Sequence, residues 1–292
     1  MKLSPILFGL SLAVGGSLAA AAQDASTPTA STPKYLQVVV EYPKPGKGGM
    51  AHDKTEGAFV QAMAKAKFPI HYVAYNAISG RARAIYLSPF NSFDEIQQAN
   101  KIFDAPAIGS EFERINVADG ELLDEGRVLI FSSDPDLSYH SKTPGPQNRY
   151  LEADIVEVHP GHGKDFEELM KLYIAAFDKA GTTQHWGAYR MEYGESIGTY
   201  VFFTASNSMA EIDQRFSEDP KIGKALSDEE KKKIRELRAA SIASERVELY
   251  SVNPAQSYAP EDYIKADPSF WKPKVKTEPA KLAAKPAATE KP

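Results

Sequence analysis

His71-Tyr72-Val73-Ala74-Tyr75 returns 114 residues downstream as His185-Trp186-Gly187-Ala188-Tyr189. One such echo is weak, but its neighbours recur in the same order. Tyr35-Leu36 opens a run ending at Pro45-Gly46, and Tyr150-Leu151 opens one ending at Pro160-Gly161, an offset of 115. Asn91-Ser92 with Glu95-Ile96 matches Asn207-Ser208 with Glu211-Ile212 at 116. Arg127-Val128, Ser132, Pro135 and Ser138-Tyr139 match Arg246-Val247, Ser251, Pro254 and Ser257-Tyr258 at 119. Ordered blocks with a slowly drifting offset are the mark of a duplication with small loop insertions. The chain is therefore read as a first module at 35–139, a turn-rich linker at 140–149 and a second module at 150–258.

Each copy has the same grammar. Leu36–Glu41 and Leu151–Val158 carry β-branched residues and stop at Pro-Gly, which predicts strands. Phe166, Leu169, Met170, Tyr173, Ile174 and Phe177 recur at helical spacing, with charges on the opposite side. The matching helix near Thr55–Lys67 has a thinner stripe of Phe59, Met63 and Ala66, broken by Gly57. The His-aromatic block is the second strand, and Arg83–Leu87 and Tyr200–Thr204 are the third. Ser92-x-x-Glu95 and Ser208-x-x-Glu211 read as capping boxes that open a second helix. Ser227-x-x-Glu230 starts a further helix reaching about Ile242, and the Arg-Val block closes each copy. The order βαββαβ predicts an α+β fold of ferredoxin-like modules.

A four-stranded sheet covered by helices on one face leaves the other bare, and two such modules can bury their bare faces together. The run Ile155-Val156-Glu157-Val158-His159-Pro160-Gly161-His162-Gly163-Lys164-Asp165-Phe166 resembles the strand-turn-helix opening of the dimeric α+β barrel superfamily, in particular its antibiotic-biosynthesis-monooxygenase-like and NIPSNAP-like members. The resemblance covers roughly Tyr35 to Tyr258 and implies two modules packed sheet to sheet as a pseudo-dimeric barrel. Members of that superfamily include oxygenases, haem-handling enzymes and isomerases, so the resemblance leaves function open. Its haem-degrading members present a histidine from a helix. Here Tyr173 lies in the second copy's helix and His52 only near the start of the first, so no ligand is carried over.

The bulk composition narrows the partners. The 292 residues carry a net charge of −5, which argues against nucleic acid as a partner. There is no cysteine, which removes disulfides, thiolate metal sites and a thiol nucleophile. Lys2, the apolar run Ile6–Val14 and Ala20-Ala21-Ala22 form a secretory signal pattern cleaved after residue 22. The protein is thus expected to be exported, to the periplasm or beyond, with no integral membrane segment once residues 1–22 are gone. Residues 23–34 read as a flexible leader. Residues 259–292, rich in Lys, Pro and Ala, read as a disordered tail.

The candidate chemistry lies in the central hairpins. His185, Tyr189 and Arg190 are the catalytic candidates, with imidazole as acid/base and Tyr and Arg as donors to an oxyanion or carboxylate. His71, Tyr75, Trp186 and Tyr200 are the ligand-binding candidates, since Tyr and Trp join an apolar face to a polar handle. The same residues also suit a barrel core with its histidines bonded to backbone. Alternation puts His185, Gly187 and Tyr189 on one strand face and Trp186, Ala188 and Arg190 on the other. His159 and His162 read as exposed turn residues, and no metal site is predicted. No cofactor is predicted either, with haem and flavin left open. P-loop, G-x-G-x-x-G and H-E-x-x-H motifs are absent from the sequence. The expected role is small-molecule binding, or a cofactor-independent oxygenase-like reaction, in the barrel cavity. The alternative is a non-catalytic envelope scaffold or stress-related binder. The sequence leaves the oligomeric state open.

Overall fold

The computed structural model describes residues 33–272. The predicted signal peptide, nearly all of the leader and residues 273–292 of the predicted tail lie outside the described residues. The first half runs β1 (Tyr35–Pro43), α1 (Met50–Ala66), β2 (Val73–Ala77), β3 (Ala84–Phe90), α2 (Phe93–Asn100), α3 (Pro106–Gly120) and β4 (Leu123–Ser133). The second runs β5 (Tyr150–Val158), α4 (Gly163–Ala180), β6 (Gly187–Tyr193), β7 (Thr199–Ser206), α5 (Met209–Ala225), α6 (Asp228–Ser241) and β8 (Ile242–Val252). Two short helices follow, α7 (Glu261–Ala266) and α8 (Pro268–Trp271).

The eight strands form one closed antiparallel barrel in the order β1-β3-β2-β8-β5-β7-β6-β4. Each half contributes a ferredoxin-like sheet, β4-β1-β3-β2 and β8-β5-β7-β6. Two seams join them: β2 to β8, with Tyr75 opposite Val252, and β4 to β6, with Phe131 opposite Met191. Closure leaves no free strand edge in the barrel. This is the architecture of a dimeric α+β barrel with both subunits in one chain, as the sequence predicts.

The period of two along each strand decides what fills the molecule. Leu36, Val38 and Val40 of β1 point inward and meet Leu151 and Ala153 of β5, with Tyr189, Met191, Val201 and Tyr250. The alternate residues face the helices. In the second half that outer layer is apolar: Phe166, Leu169 and Met170 of α4 pack on Val156, Trp186, Tyr200 and Phe202 of the sheet and on Ile234 and Leu237 of α6. Burying each large apolar side chain is worth roughly 1.5–3 kcal/mol, so this layer holds α4 and α6 firmly.

Two features differ from the sequence reading. Both halves, not only the second, carry a further helix between the capped one and the last strand. α3 escapes pattern reading because its buried positions are Ile115 and Asp119, which make no stripe. The segment after Tyr258 is ordered as far as residue 272, where the sequence reading places the start of a disordered tail at 259. The physical reason is a pair of aromatic anchors. Trp271 is buried in the barrel cluster with Tyr263 and Phe270 against it, and its Nε1 donates to Pro146 O at 2.9 Å. Asp267 caps α8 and pairs with Arg149, whose guanidinium lies 3.8 Å from the Phe270 ring centre. No helix among the described residues is long and apolar enough to cross a membrane.

Candidate functional site

One end of the barrel interior encloses a cavity of about 130 Å³ lined by Leu36, Tyr75, Leu87, His185, Tyr189 and Phe203 among others. Tyr263 of α7 and the linker residues Ser141 to Pro144 close its mouth. Tyr75 and Tyr189 occupy equivalent positions in β2 and β6, so the duplication brings two phenols into one chamber. Neither hydroxyl makes a hydrogen bond among the described residues. Burial, with Tyr263 and Tyr189 nearby, pushes the Tyr75 phenol well up, and burial alone raises Tyr189. Both therefore stay protonated at any physiological pH and act as donors. At the opposite end of the barrel a wider cavity of about 340 Å³ is lined by Arg83, Arg127, Arg246, Glu157 and Glu248 as well as apolar groups.

The structure gathers some of the sequence-predicted residues and separates others. His185, Tyr189 and Tyr75 line the same cavity. His185 lies between two backbone carbonyls, with Nε2 at 3.0 Å from Ala205 O and Nδ1 at 3.2 Å from Thr183 O, and its ring N–H donates to one of them. Arg190 points outward, half exposed, 3.8 Å from Glu192. Trp186 and Tyr200 lie in the layer between the second sheet and α4. Trp186 Nε1 donates to Leu137 O at 2.8 Å, and the Tyr200 ring sits 4.8 Å from that of Phe166. His71 stacks on Tyr258 at 4.4 Å, outside the cavity.

A second group of side chains lies where the sequence reading placed nothing. Between the first sheet and its helices, Glu41 of β1, His52 and Glu56 of α1 and Asp119 of α3 offer ligand atoms all within 4.8 Å of one another. His52, Glu56 and Asp119 are each 4% exposed or less. His52 Nε2 stands 3.0 Å from Glu41 Oε2 and 3.7 Å from Asp119 Oδ1. The Thr55 hydroxyl donates to Asp119. Gln256 Nε2 donates to Asp53 at 3.0 Å and lies 3.4 Å from His52 Nδ1, while Gln256 Oε1 is buried without a partner. No Lys or Arg pairs with any of the three carboxylates among the described residues.

The electrostatics follow from crowding like charges away from water. Burial, then the charges of Glu41 and Asp119, push the Glu56 carboxyl up to about 9. Burial also raises Asp119, against the Thr55 hydrogen bond. For His52 burial acts downward, but the Glu41 hydrogen bond and the surrounding carboxylates outweigh it and leave its pKa raised. Tyr86 Oη sits beside Glu41 and Glu56, yet it is buried with no hydrogen-bond partner.

The repeat gives this cluster its meaning. Strand register and helix ends align Glu41 with Val156, His52 with Phe166, Glu56 with Met170 and Tyr86 with Phe202. At these four positions the second copy carries apolar side chains where the first carries two carboxylates, an imidazole and a phenol. Folding alone does not require the polar set. The thin stripe of α1 was its sequence signal: aligning the repeats puts His52 and Glu56 where α4 has Phe166 and Met170.

No family model and no curated protein matches this sequence. Among solved structures, a Lactobacillus acidophilus protein assigned provisionally as a monooxygenase is 8% identical, with a TM-score of 0.47 over 76% of this chain and 94% of its own. An anthrone oxidase-like protein is 11% identical, with a TM-score of 0.46 over 75% of this chain and 92% of its own. A variant chlorite dismutase of Candidatus Nitrospira defluvii is 12% identical, with a TM-score of 0.48 over 80% of this chain and 96% of its own. Likenesses this distant assign no activity or ligand to this chain.

Proposed function

We propose that this protein binds a compact, mainly apolar small molecule carrying a hydrogen-bond acceptor, in the barrel chamber between the two repeats. The supporting observation is the pair Tyr75 and Tyr189, two protonated phenols without protein partners in a mainly apolar chamber. Buried donors are normally satisfied, so two left open at one cavity favour an acceptor supplied from outside. A chamber of about 130 Å³ suits a single-ring molecule, since a dry cavity of about 150 Å³ admits benzene. A ring ketone or aryl ketone meets both demands. Two donors converging on one carbonyl would also polarise it, which is the chemistry an oxygenase-like or isomerase-like step would need. Export ahead of residue 23 belongs to the same proposal and rests on the sequence pattern alone.

Acetophenone, with ethylbenzene as its partner lacking the carbonyl, tests this reading in the full chain by calorimetric titration and thermal shift. Acetophenone should bind with 1:1 stoichiometry and more tightly than ethylbenzene. Tyr75→Phe and Tyr189→Phe should each weaken acetophenone by about threefold to tenfold, the worth of one neutral hydrogen bond, and leave ethylbenzene unchanged. Equal binding of both compounds, or no binding of either, would refute the donor pair and favour the scaffold reading.

A further inference from the structure

We propose that Glu41, His52, Glu56 and Asp119 form a binding site for one divalent first-row transition-metal ion, lying between the first sheet and its helices and independent of the barrel chamber. Four observations carry it. First, the donor set is three carboxylates and one imidazole, a mixed oxygen–nitrogen set suited to Mn²⁺, Fe²⁺ or Zn²⁺. Second, the geometry is nearly closed. Ligands about 2.0–2.2 Å from an ion stand at most about 4.4 Å apart across it, and these four atoms already lie within 4.8 Å of one another. Third, no Lys or Arg pairs with the three carboxyl groups among the described residues; His52 stands beside Glu41 and Asp119, and Glu56, 4% exposed, is in no ion pair. A buried carboxyl without a cation keeps its proton, and a bound metal ion takes that proton's place.

The fourth observation is independent of the acidic residues. Tyr86 Oη is aimed into the cluster, 95% of its side chain is covered, and it has no hydrogen-bond partner. A carboxylate or a water fixed by a cation would give this hydroxyl an acceptor. Thr55 on Asp119 and Gln256 beside His52 are placed as an outer shell that holds ligands in orientation. The second copy supplies the internal control, because Val156, Phe166, Met170 and Phe202 stand at the positions of Glu41, His52, Glu56 and Tyr86 and offer no ligand atom.

The experiment uses the full chain stripped with EDTA and titrated with Zn²⁺, Mn²⁺ and Co²⁺. Calorimetry and elemental analysis read stoichiometry, and Co²⁺ absorption reads the ligand field. Wild type should take up one ion per chain, with visible Co²⁺ bands and a raised melting temperature. Glu56→Gln, nearly the same size, should weaken binding at least tenfold and shift the Co²⁺ bands. A double variant carrying the second copy's residues, His52→Phe with Glu56→Met, keeps an apolar route to folding and should bind no ion while melting cooperatively. His159→Ala with His162→Ala, on an exposed turn, should change nothing. Wild type taking up none of the three ions overturns the proposal. So does a folded double variant that still binds one equivalent.

Discussion

Asp154 shows how much a single residue in the outer layer can report. It lies on β5, facing the helices, with Oδ1 buried and unpartnered. Burial first, then the charge of Glu245, lift its carboxyl from 3.8 to about 6, against a smaller opposing pull from Arg238. A raised folded-state pKa means that the folded protein holds this proton more tightly than the unfolded chain. The contribution to stability is therefore complete below pH 3.8 and is lost as pH rises through about 6. Asp154→Asn should flatten that decline. Urea midpoints for the two proteins should nearly coincide at pH 4, and at pH 7 the variant should exceed wild type by at most about 3 kcal/mol. An identical pH dependence would remove Asp154 from the account. The residue scale is also where the sequence was least legible. Alternation correctly separates the faces of Tyr189 and Arg190, but nothing local shows that Tyr75 meets Tyr189 across a closed barrel. Polar residues at 41, 52, 56 and 119 look like surface until a three-dimensional register brings three elements together.

At the element scale the two copies of the first helix make a matched pair. Both end on a residue in the left-handed region, Lys67 after α1 with φ 53° and Gly181 after α4 with φ 58°. Glycine adopts that conformation freely, whereas a side chain crowds the neighbouring carbonyl at a cost of about 1–2 kcal/mol. Lys67 is exposed, so its side chain has little packing to lose. Lys67→Gly should raise stability by about 0.5–1 kcal/mol net of the added freedom of the unfolded chain, and Gly181→Ala should lower it by about 1 kcal/mol. Denaturant midpoints of both variants measure this, and a destabilised Lys67→Gly would show that the lysine does something more than end a helix. Elements were legible where the period is strong and the cap explicit. The stripe of α4 and the helix start at Ser227 sit in the structure as read, and Ser92 and Ser208 cap their helices, though Glu95 and Glu211 accept from Asn91 N and Asn207 N rather than from the capping residues. Weak stripes hid the start of α1 and all of α3, because their sheet-facing positions carry His52, Glu56 and Asp119 in place of apolar side chains. The helices after Tyr258 were hidden for another reason. Their anchors, Tyr263 and Trp271, stand singly among Lys and Pro, and only the barrel mouth makes them a hydrophobic surface.

On the scale of the whole molecule, duplication has turned a two-subunit problem into one of a single cooperative unit. The interior cluster draws on both halves, Leu36 to Val40 from one and Leu151 and Ala153 from the other, so neither sheet has a covered inner face without its partner. The two seams, β2 with β8 and β4 with β6, also supply backbone hydrogen bonds that either half alone would leave open. Losing one half would expose an apolar sheet face and two strand edges at once, a cost well beyond the roughly 5–15 kcal/mol that holds a domain folded. The halves should therefore unfold together. Native-state hydrogen exchange measures this directly: the amides of Val38 in β1 and Ala153 in β5 should exchange with the same opening free energy and the same denaturant slope. Filling the first half's polar layer with metal should raise both values by the same amount, because an ion bound only to the folded state stabilises the whole unit that must open to release it. Separate opening energies for β1 and β5, or a metal effect confined to the first half, would mean that the barrel is two domains in contact rather than one.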